Sequence, residues 1–97
     1  LMAKIQQLIN PALIRIIDRF PESKNAICNL FWAIPSFNEI CMDHEQCRKT
    51  LEHYQQQDSD EARLRTTEYG EILRGLELEI MQYLHDYEEK LHNESTG

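Results

Sequence analysis

Apolar residues recur at three- and four-residue spacings along almost the whole chain, which is the periodicity of an amphipathic α-helix. In the N-terminal part they form one stripe, made of Ile5, Leu8, Ile9, Ala12, Leu13, Ile16, Ile17 and Phe20. Pro11 interrupts that stripe, because proline has no N–H group and clashes with the preceding turn. We therefore expect a kinked helix over residues 1–20, in which Asn10 caps the part that begins at Pro11.

The next helix is bounded by two prolines. Pro21 ends the first helix, because the residue before a proline is pushed out of the α region. Residues 22–34 then place apolar side chains on one side of a helix, and Pro35 interrupts the repeat. We expect a short helix over residues 22–34 that ends at Pro35.

A longer helix follows that second proline. Its apolar positions repeat at spacings of three and four as far as Tyr54, and this pattern predicts a helix over residues 37–57. Ser36 and Asn38 are both suitable N-cap residues, since a short polar side chain accepts a hydrogen bond from the first helical turn.

The strongest pattern lies in the C-terminal third, where apolar residues alternate at spacings of three and four as in a coiled coil. The residues of this seam are Ala62, Tyr69, Leu73, Leu76, Ile80, Tyr83 and Tyr87. Asp58 stands three residues before Glu61, which is the spacing of a capping box at a helix start. We expect a helix over residues 59–92 and a polar, frayed tail over residues 93–97.

This C-terminal helix is too long for a compact domain of the same size. Its 34 residues extend about 50 Å at ~1.5 Å per residue, whereas a compact chain of 97 residues is roughly 32 Å across. The helix therefore breaks near Gly70 or Gly75, at a cost of ~1 kcal/mol per glycine relative to alanine, or a second chain covers the excess. We favour the second alternative and expect a homodimer.

Together these elements predict an all-α protein with one domain over residues 1–97. We expect a small helical bundle in which the long C-terminal helix, residues 59–92, forms an antiparallel helical hairpin with residues 37–57. The N-terminal helices should pack across that hairpin and close its core.

Charge is segregated along the chain. The 17 acidic and 10 basic residues give a net charge of −7, and residues 58–97 alone carry −7 while residues 1–24 carry +2. An acidic chain lacks the basic surface that sequence-independent binding to nucleic acid requires, so we expect no nucleic-acid partner.

Two further observations bear on the compartment. No apolar run approaches the ~20 residues that a membrane-spanning helix needs, so we expect no membrane partner. The three cysteines cannot form a closed set of disulfides, which favours a reducing compartment and a cytoplasmic protein.

Cysteines and histidines recur on the third predicted helix, at Cys41, His44, Cys47 and His53. These residue types suggest a metal site, but at about 100° per residue they do not converge on one ion. Structural zinc sites also need four ligands, usually with CxxC pairs. We therefore interpret the cysteines as buried thiols on an apolar face, and expect neither a metal nor another cofactor.

One short motif suggests catalysis. Arg48 and His53 lie five residues apart in the run RKTLEH, and this R-x4-H arrangement resembles the active-site motif of HEPN-type ribonucleases, all-α proteins that pair two such motifs across a dimer. The resemblance implies that Arg48 stabilises phosphoryl charge and that His53 transfers a proton. Lys49 stands where that family usually carries Asn, Asp or His. Two interpretations of this run therefore stay open: a solvated helix face, or the active site of a dimeric HEPN-like ribonuclease.

The aromatic residues around Pro35 offer a different kind of site. Trp32 points about 100° away from Phe31 around the helix, so the two rings need not share a core. Exposed aromatic residues of this kind anchor protein interfaces. The alternative is a tight helix–proline–helix corner that buries both rings.

No phosphate-binding loop, HExxH or GxSxG motif is present in the sequence. We therefore expect a non-enzymatic helical protein-protein interaction module, a small cytoplasmic regulatory or adaptor protein that acts as a homodimer. The predicted partner-binding residues are Phe31, Trp32, Phe37, Tyr69, Leu73, Leu76, Ile80, Tyr83 and Tyr87.

Overall fold

The computed structural model describes residues 10–96, with side chains described as far as residue 93. The α-helices in this range are α1 over Pro11–Arg19, α2 over Lys24–Ala33, α3 over Pro35–Gln55 and α4 over Asp60–Thr96. One turn of 3-10 helix, Pro21–Ser23, connects α1 to α2. The prediction of an all-α protein is confirmed for residues 10–96, where there is no strand, and the two longest helices pack against each other.

The start of α1 agrees with the sequence-based expectation. The Oδ1 atom of Asn10 accepts hydrogen bonds from the backbone N–H groups of Ala12, at 3.0 Å, and Leu13, at 3.2 Å. Asn10 is therefore the N-cap, and Pro11 occupies the first turn, where its missing N–H has no cost. The expected helical segment before the kink falls in residues 1–9, which lie outside the described residues.

The junction between α2 and α3 differs from the prediction. α3 begins at Pro35 itself, after an extended Ile34 with φ −116° and ψ 105°. Ser36 and Asn38, the predicted caps, have other partners: the Oγ atom of Ser36 lies 2.7 Å from the Oη atom of Tyr83, and Asn38 donates to a carbonyl oxygen of α2. The expected boundary was wrong because a proline excludes the preceding residue from a helix but can itself begin one.

The start of α4 lies one residue from the predicted capping box. The Oγ atom of Ser59 accepts a hydrogen bond of 3.1 Å from the backbone N–H of Ala62, so Ser59 caps the helix. Asp58 instead forms an ion pair of 3.1 Å with Arg63. The cap is therefore Ser59, which belongs to the residue types that this position prefers.

α4 is one continuous helix of 37 residues. It passes through Gly70 and Gly75 without a break, and neither glycine has a positive φ. Residues 93–96 are helical where a frayed tail was expected. Once a helix has formed, each added residue contributes one hydrogen bond without a new nucleation cost, so a polar end can extend it.

All four of these helices contribute to one core. Its largest fully buried side chains are Phe31, Phe37, Ile16, Ile27, Ile80 and Cys41. Full burial of an aliphatic or phenyl side chain is worth about 1.5–3 kcal/mol. The core therefore joins α1 and α2 to the two long helices.

The molecule is elongated, with extents of 56 × 34 × 21 Å and a radius of gyration of 15.8 Å. A compact chain of this length has a radius of gyration of about 12.5 Å. α4 spans the long dimension, whereas α3 has only 21 residues and accompanies part of it. Contacts between the two long helices run from Tyr54 beside Tyr69 to Ser36 beside Tyr83.

Candidate interaction surface

A groove lies between α2 and the C-terminal end of α4. α3 begins beside Tyr83, so the following residues of α4 pass beyond it and have α2 as their neighbour. The groove has a volume of about 600 Å³. We call it the α2–α4 groove; it is lined by Asn29, Leu30, Ala33, Ile34, Tyr83, Asp86, Tyr87, Lys90 and Leu91.

Two hydrogen bonds hold α2 and the turn before it beside this end of α4. The Nδ2 atom of Asn29 donates to the Oη atom of Tyr87 at 2.9 Å. The Oγ atom of Ser23 donates to a carboxylate oxygen of Glu88 at 3.3 Å. Both pairs are exposed, so they fix the relative position of the helices more than they add stability.

Two residues of the groove, Leu91 and Ile34, were not among the partner-binding residues predicted from the sequence. Leu91 is 46% exposed and Ile34 is 37% exposed, although both are large apolar residues. Leu91 follows Tyr87 by four residues and therefore continues the seam, which was the available signal. Ile34 also had a signal, because it follows Ile27 by seven residues on the apolar side of the predicted helix over residues 22–34, but that pattern predicts a core position.

Trp32 and Phe31 have different surroundings. Phe31 is buried, whereas Trp32 is 48% exposed and touches Phe31 edge-to-face with ring centroids 4.7 Å apart. The corner at Pro35 therefore buries only one of the two rings. Trp32 is not among the residues that line the α2–α4 groove, and at about 100° per residue it points roughly 130° around α2 from them.

Three of the predicted partner-binding residues belong to the core of the same chain. Phe31, Phe37 and Ile80 are fully or almost fully buried, and the ring of Phe37 packs edge-to-face on Tyr83 at 5.4 Å. A side chain without exposed surface cannot contact a partner, so these three residues do not belong to an interaction surface in this structure.

The predicted seam of α4 is used mainly within the chain. Tyr69 stacks on Tyr54 of α3, with ring centroids 5.8 Å apart and an angle of 19° between the planes. Leu73 and Leu76 are half-buried. The seam thus packs against α3 as far as Tyr83. The seam residues beyond Tyr83 are not covered by α3.

Arg48 and His53 lie apart on α3. Arg48 pairs with Glu45 and Glu52, at 2.9 Å each. The hydrogen bond that Arg48 donates to Glu45 is the main reason that the pKa of Arg48 is raised. The Nε2 atom of His53 lies 2.8 Å from the amide nitrogen of Gln57, on the surface. Five residues turn a helix by about 500°, which leaves the two side chains about 140° apart around its axis.

A polar network with two buried members, His44 and Glu45, links α1, α3 and α4. The Nε2 atom of His44 donates to Glu77 at 3.1 Å, and Arg19 donates to the same carboxylate at 3.2 Å. Glu45, also buried, accepts from Arg15 and Arg48. Burial raises the pKa of the Glu45 carboxyl, but hydrogen bonds and charge from the two arginines outweigh burial and leave that pKa lowered.

The cysteines considered as metal ligands have separate environments. Cys41 lies in the core, and burial raises its pKa to about 12. The Sγ atom of Cys47 donates to the backbone oxygen of Tyr69 at 3.4 Å. His44, between them in sequence, binds Glu77. Each of the three side chains therefore belongs to the packing between helices.

Near the end of α4, His85, Asp86 and Glu89 place possible ligand atoms within 4.8 Å of one another. All three residues are exposed, and His85 lies 3.3 Å from Glu89 as an ordinary pair one helical turn apart. The group is open to water, which is typical of solvated charged residues.

Comparison with family models, with curated proteins and with solved structures found no match to this chain. None of the helices described between residues 10 and 96 combines the length and the apolar character needed to cross a bilayer. The interaction surface must therefore be interpreted from its own chemistry.

Proposed function

We propose that this protein is a non-enzymatic helical protein-protein interaction module, a small cytoplasmic regulatory or adaptor protein that acts as a homodimer. The α2–α4 groove carries the proposal, because it is the place where the longest helix passes beyond its neighbour with apolar side chains still exposed. The cytoplasmic assignment rests on three free thiols, Cys28, Cys41 and Cys47.

We infer that the two long helices form an antiparallel hairpin. The inference is supported by the order of their contacts, in which later residues of α3 approach earlier residues of α4: His44 contacts Glu77, and Cys47 contacts Tyr69. In such a hairpin the start of α3 lies near Tyr83, so residues 84–96 of α4 extend past it.

Exposed apolar side chains at the end of α4 support a second chain. Leu91 is 46% exposed and Ile34 is 37% exposed, and both line the α2–α4 groove.

A solution-mass measurement tests the homodimer. We expect light scattering or sedimentation equilibrium at micromolar concentration to give twice the chain mass. Leu91→Glu should give the monomer mass, because it places a charge in the α2–α4 groove. Leu78→Glu is the matched control: Leu78 is more exposed than Leu91 and lies about 140° away around the same helix.

The wild-type chain and the Leu78→Glu variant should therefore have the same mass. A wild-type monomer across the micromolar range would contradict the homodimer. Equal dissociation by both variants would show that a general charge effect, and not the groove, controls assembly.

A further inference from the structure

α1 leaves one side of the α3–α4 pair uncovered. It packs on the other side, where arginines of α1 donate to Glu45 of α3 and to Glu77 of α4. Residues two positions apart on a helix point about 160° away from each other around its axis. Asp43 and Glu79, each two positions from one of these carboxylates, therefore stand on the uncovered side, and both are exposed.

Contacts between the two long helices mark the ends of this uncovered side. The Oγ atom of Ser36 meets the Oη atom of Tyr83 near the start of α3, and the rings of Tyr54 and Tyr69 stack near its end. Leu76 lies seven residues from each of the two α4 tyrosines, and seven residues return a helix to within about 20° of the same direction. We call the surface between these contacts the α3–α4 cleft, and its residues are Ile40, Asp43, Ile72, Leu76, Glu79 and Tyr83.

The floor of the cleft is apolar. Ile40, Leu76 and Tyr83 are half-buried, and Ile72 is 51% exposed. Ile40 and Tyr83 also line a recess of about 310 Å³ between the two helices. The cleft therefore combines exposed apolar side chains with a recess, which is the kind of surface on which an amphipathic helix lays its apolar face.

The rims of the cleft are acidic, with one carboxylate from each long helix: Asp43 from α3 and Glu79 from α4. Within the described residues neither carboxylate takes part in a hydrogen bond or an ion pair. Arg65 stands seven residues before Ile72 and points in nearly the same direction, but it is already paired with Glu68. The negative charge of the rims is thus not compensated within the cleft.

α1 shows how this chain covers a surface of the same kind. Leu13 and Ile16 of α1 are buried, while Arg15 and Arg19, four residues apart, pair with carboxylates of different long helices. The α3–α4 cleft presents the same combination on the opposite side, namely an apolar floor and one carboxylate from each long helix. It therefore suits a helix with the same pattern of apolar and basic residues.

We propose that the α3–α4 cleft binds an amphipathic helix of another protein, with two basic residues one helical turn apart beside its apolar face. The basic residues pair with Asp43 and Glu79, and the apolar face covers Ile72 and Leu76. From Ile72 to Tyr83 the cleft extends ~16 Å, which corresponds to about three turns of the bound helix. The proposal rests on the interaction module proposed above and names its class of partner, but it does not depend on the homodimer.

Charge favours such a helix over the same cleft of a second copy. A two-fold contact through the cleft would bring Asp43 and Glu79 of one copy towards the same carboxylates of the other. α4 also belongs to the part of the chain, residues 58–97, that carries a net charge of −7. A surface of this sign attracts and orients a basic partner.

Fluorescence anisotropy tests the proposal with two labelled synthetic peptides and the full chain. The first peptide is an alanine-rich helix of about four turns, with leucines on one face and two arginines at the spacing they have in α1. In the second peptide, glutamate replaces both arginines. We expect the arginine peptide to bind saturably and the glutamate peptide to bind at least about tenfold more weakly, because like charges then meet at the rims. Equal affinities, or no binding by the arginine peptide, would overturn the proposal.

Substitutions in the protein locate the binding site. Glu79→Lys should weaken binding of the arginine peptide at least about tenfold. Glu71→Lys is the matched control, because Glu71 is exposed and points about 80° away around α4. Ile72→Ala should weaken binding about fivefold, whereas Leu78→Ala, at a residue 65% exposed and about 120° from Ile72, should not. Equal circular dichroism would show that each variant is folded, and equal losses in variant and control would contradict binding in the cleft.

The outcome for the cleft is separable from that for the homodimer. Leu91→Glu, which we expect to be a monomer, should bind the arginine peptide as the wild type does. Loss of peptide binding in Leu91→Glu, or dissociation of the dimer in Glu79→Lys, would assign the cleft to the dimer interface and overturn the proposal. A dimer that binds neither peptide would overturn the docking site alone. A monomer that binds the arginine peptide through the cleft would overturn the homodimer alone.

Discussion

The Nε2 atom of His44 donates a hydrogen bond of 3.1 Å to a carboxylate oxygen of Glu77 and so joins the middle of α3 to α4. The same carboxylate accepts two hydrogen bonds from the guanidinium group of Arg19 in α1. Three helices therefore meet at Glu77. His44 is only 3% exposed, so its Nε2 atom depends on Glu77 for this hydrogen bond.

Glu77→Ala should lower the free energy of unfolding by about 1–3 kcal/mol, because it leaves a buried imidazole without its partner. Glu79→Ala is the matched control. Glu79 is exposed on the same helix, and a substitution of this kind changes stability by less than about 0.5 kcal/mol. Urea unfolding at neutral pH measures both variants, and equal losses would contradict the role of Glu77 between the helices.

Stability should also depend on pH through Glu77. Burial raises the pKa of this carboxyl, but hydrogen bonds and charge from His44 and Arg19 outweigh burial, so its pKa is lowered in the folded protein. A carboxyl with a lowered pKa stabilises the fold above its unfolded pKa of about 4.3, and the contribution is lost as the pH falls through the folded value.

We therefore expect the free energy of unfolding to decrease as the pH drops below about 4.3. Glu77→Gln should reduce this dependence, and the remainder should come from Glu45, whose pKa is lowered in the same direction. Urea unfolding at several pH values measures the slope. An unchanged slope in the Glu77→Gln variant would contradict the assignment.

The helices could be predicted from the sequence because each rests on local information: periodicity, a cap such as Asn10, or a proline. The network at Glu77 could not, since Arg19 and Glu77 are 58 residues apart and no local pattern joins them. The seam of α4 is an intermediate case. Its apolar spacing predicts that another helix covers it. The same spacing is expected whether that helix belongs to the same chain or to a second chain.

The length of α4 led to two alternatives, a break at a glycine or a second chain. The continuous helix excludes the break, and the homodimer stays a prediction. The comparison with a compact globule did not foresee that α3 and α4 lie side by side and make the molecule elongated. Only the segment of α4 beyond Tyr83 lacks α3 as a neighbour. The candidate surface is therefore smaller than the predicted seam. It includes Leu91, which continues the spacing of the seam, and Ile34, which lies on another helix.

The two glycines inside α4 offer a stabilising change. An added Cβ would meet no atom within 4 Å at Gly70 or at Gly75, and both have helical backbone angles. Each substitution to alanine should therefore raise the free energy of unfolding by about 0.5–1 kcal/mol, because glycine loses more conformational freedom in a helix. Thermal unfolding should show an increase of about 4–8 °C per kcal/mol, and a decrease for either variant would contradict a continuous, unstrained helix.

The three thiols should differ in reactivity, because the thiolate is the nucleophile and burial opposes its formation. Burial raises the pKa of Cys41 to about 12 and also raises the pKa of Cys47, whereas Cys28 is only half-buried. With iodoacetamide at about pH 8, Cys28 should be modified first, and Cys41 and Cys47 only as fast as the helices separate. Peptide mass spectrometry measures each site, and urea should abolish the difference. A Cys41 that reacts as fast as Cys28 in the folded protein would contradict its place in the core.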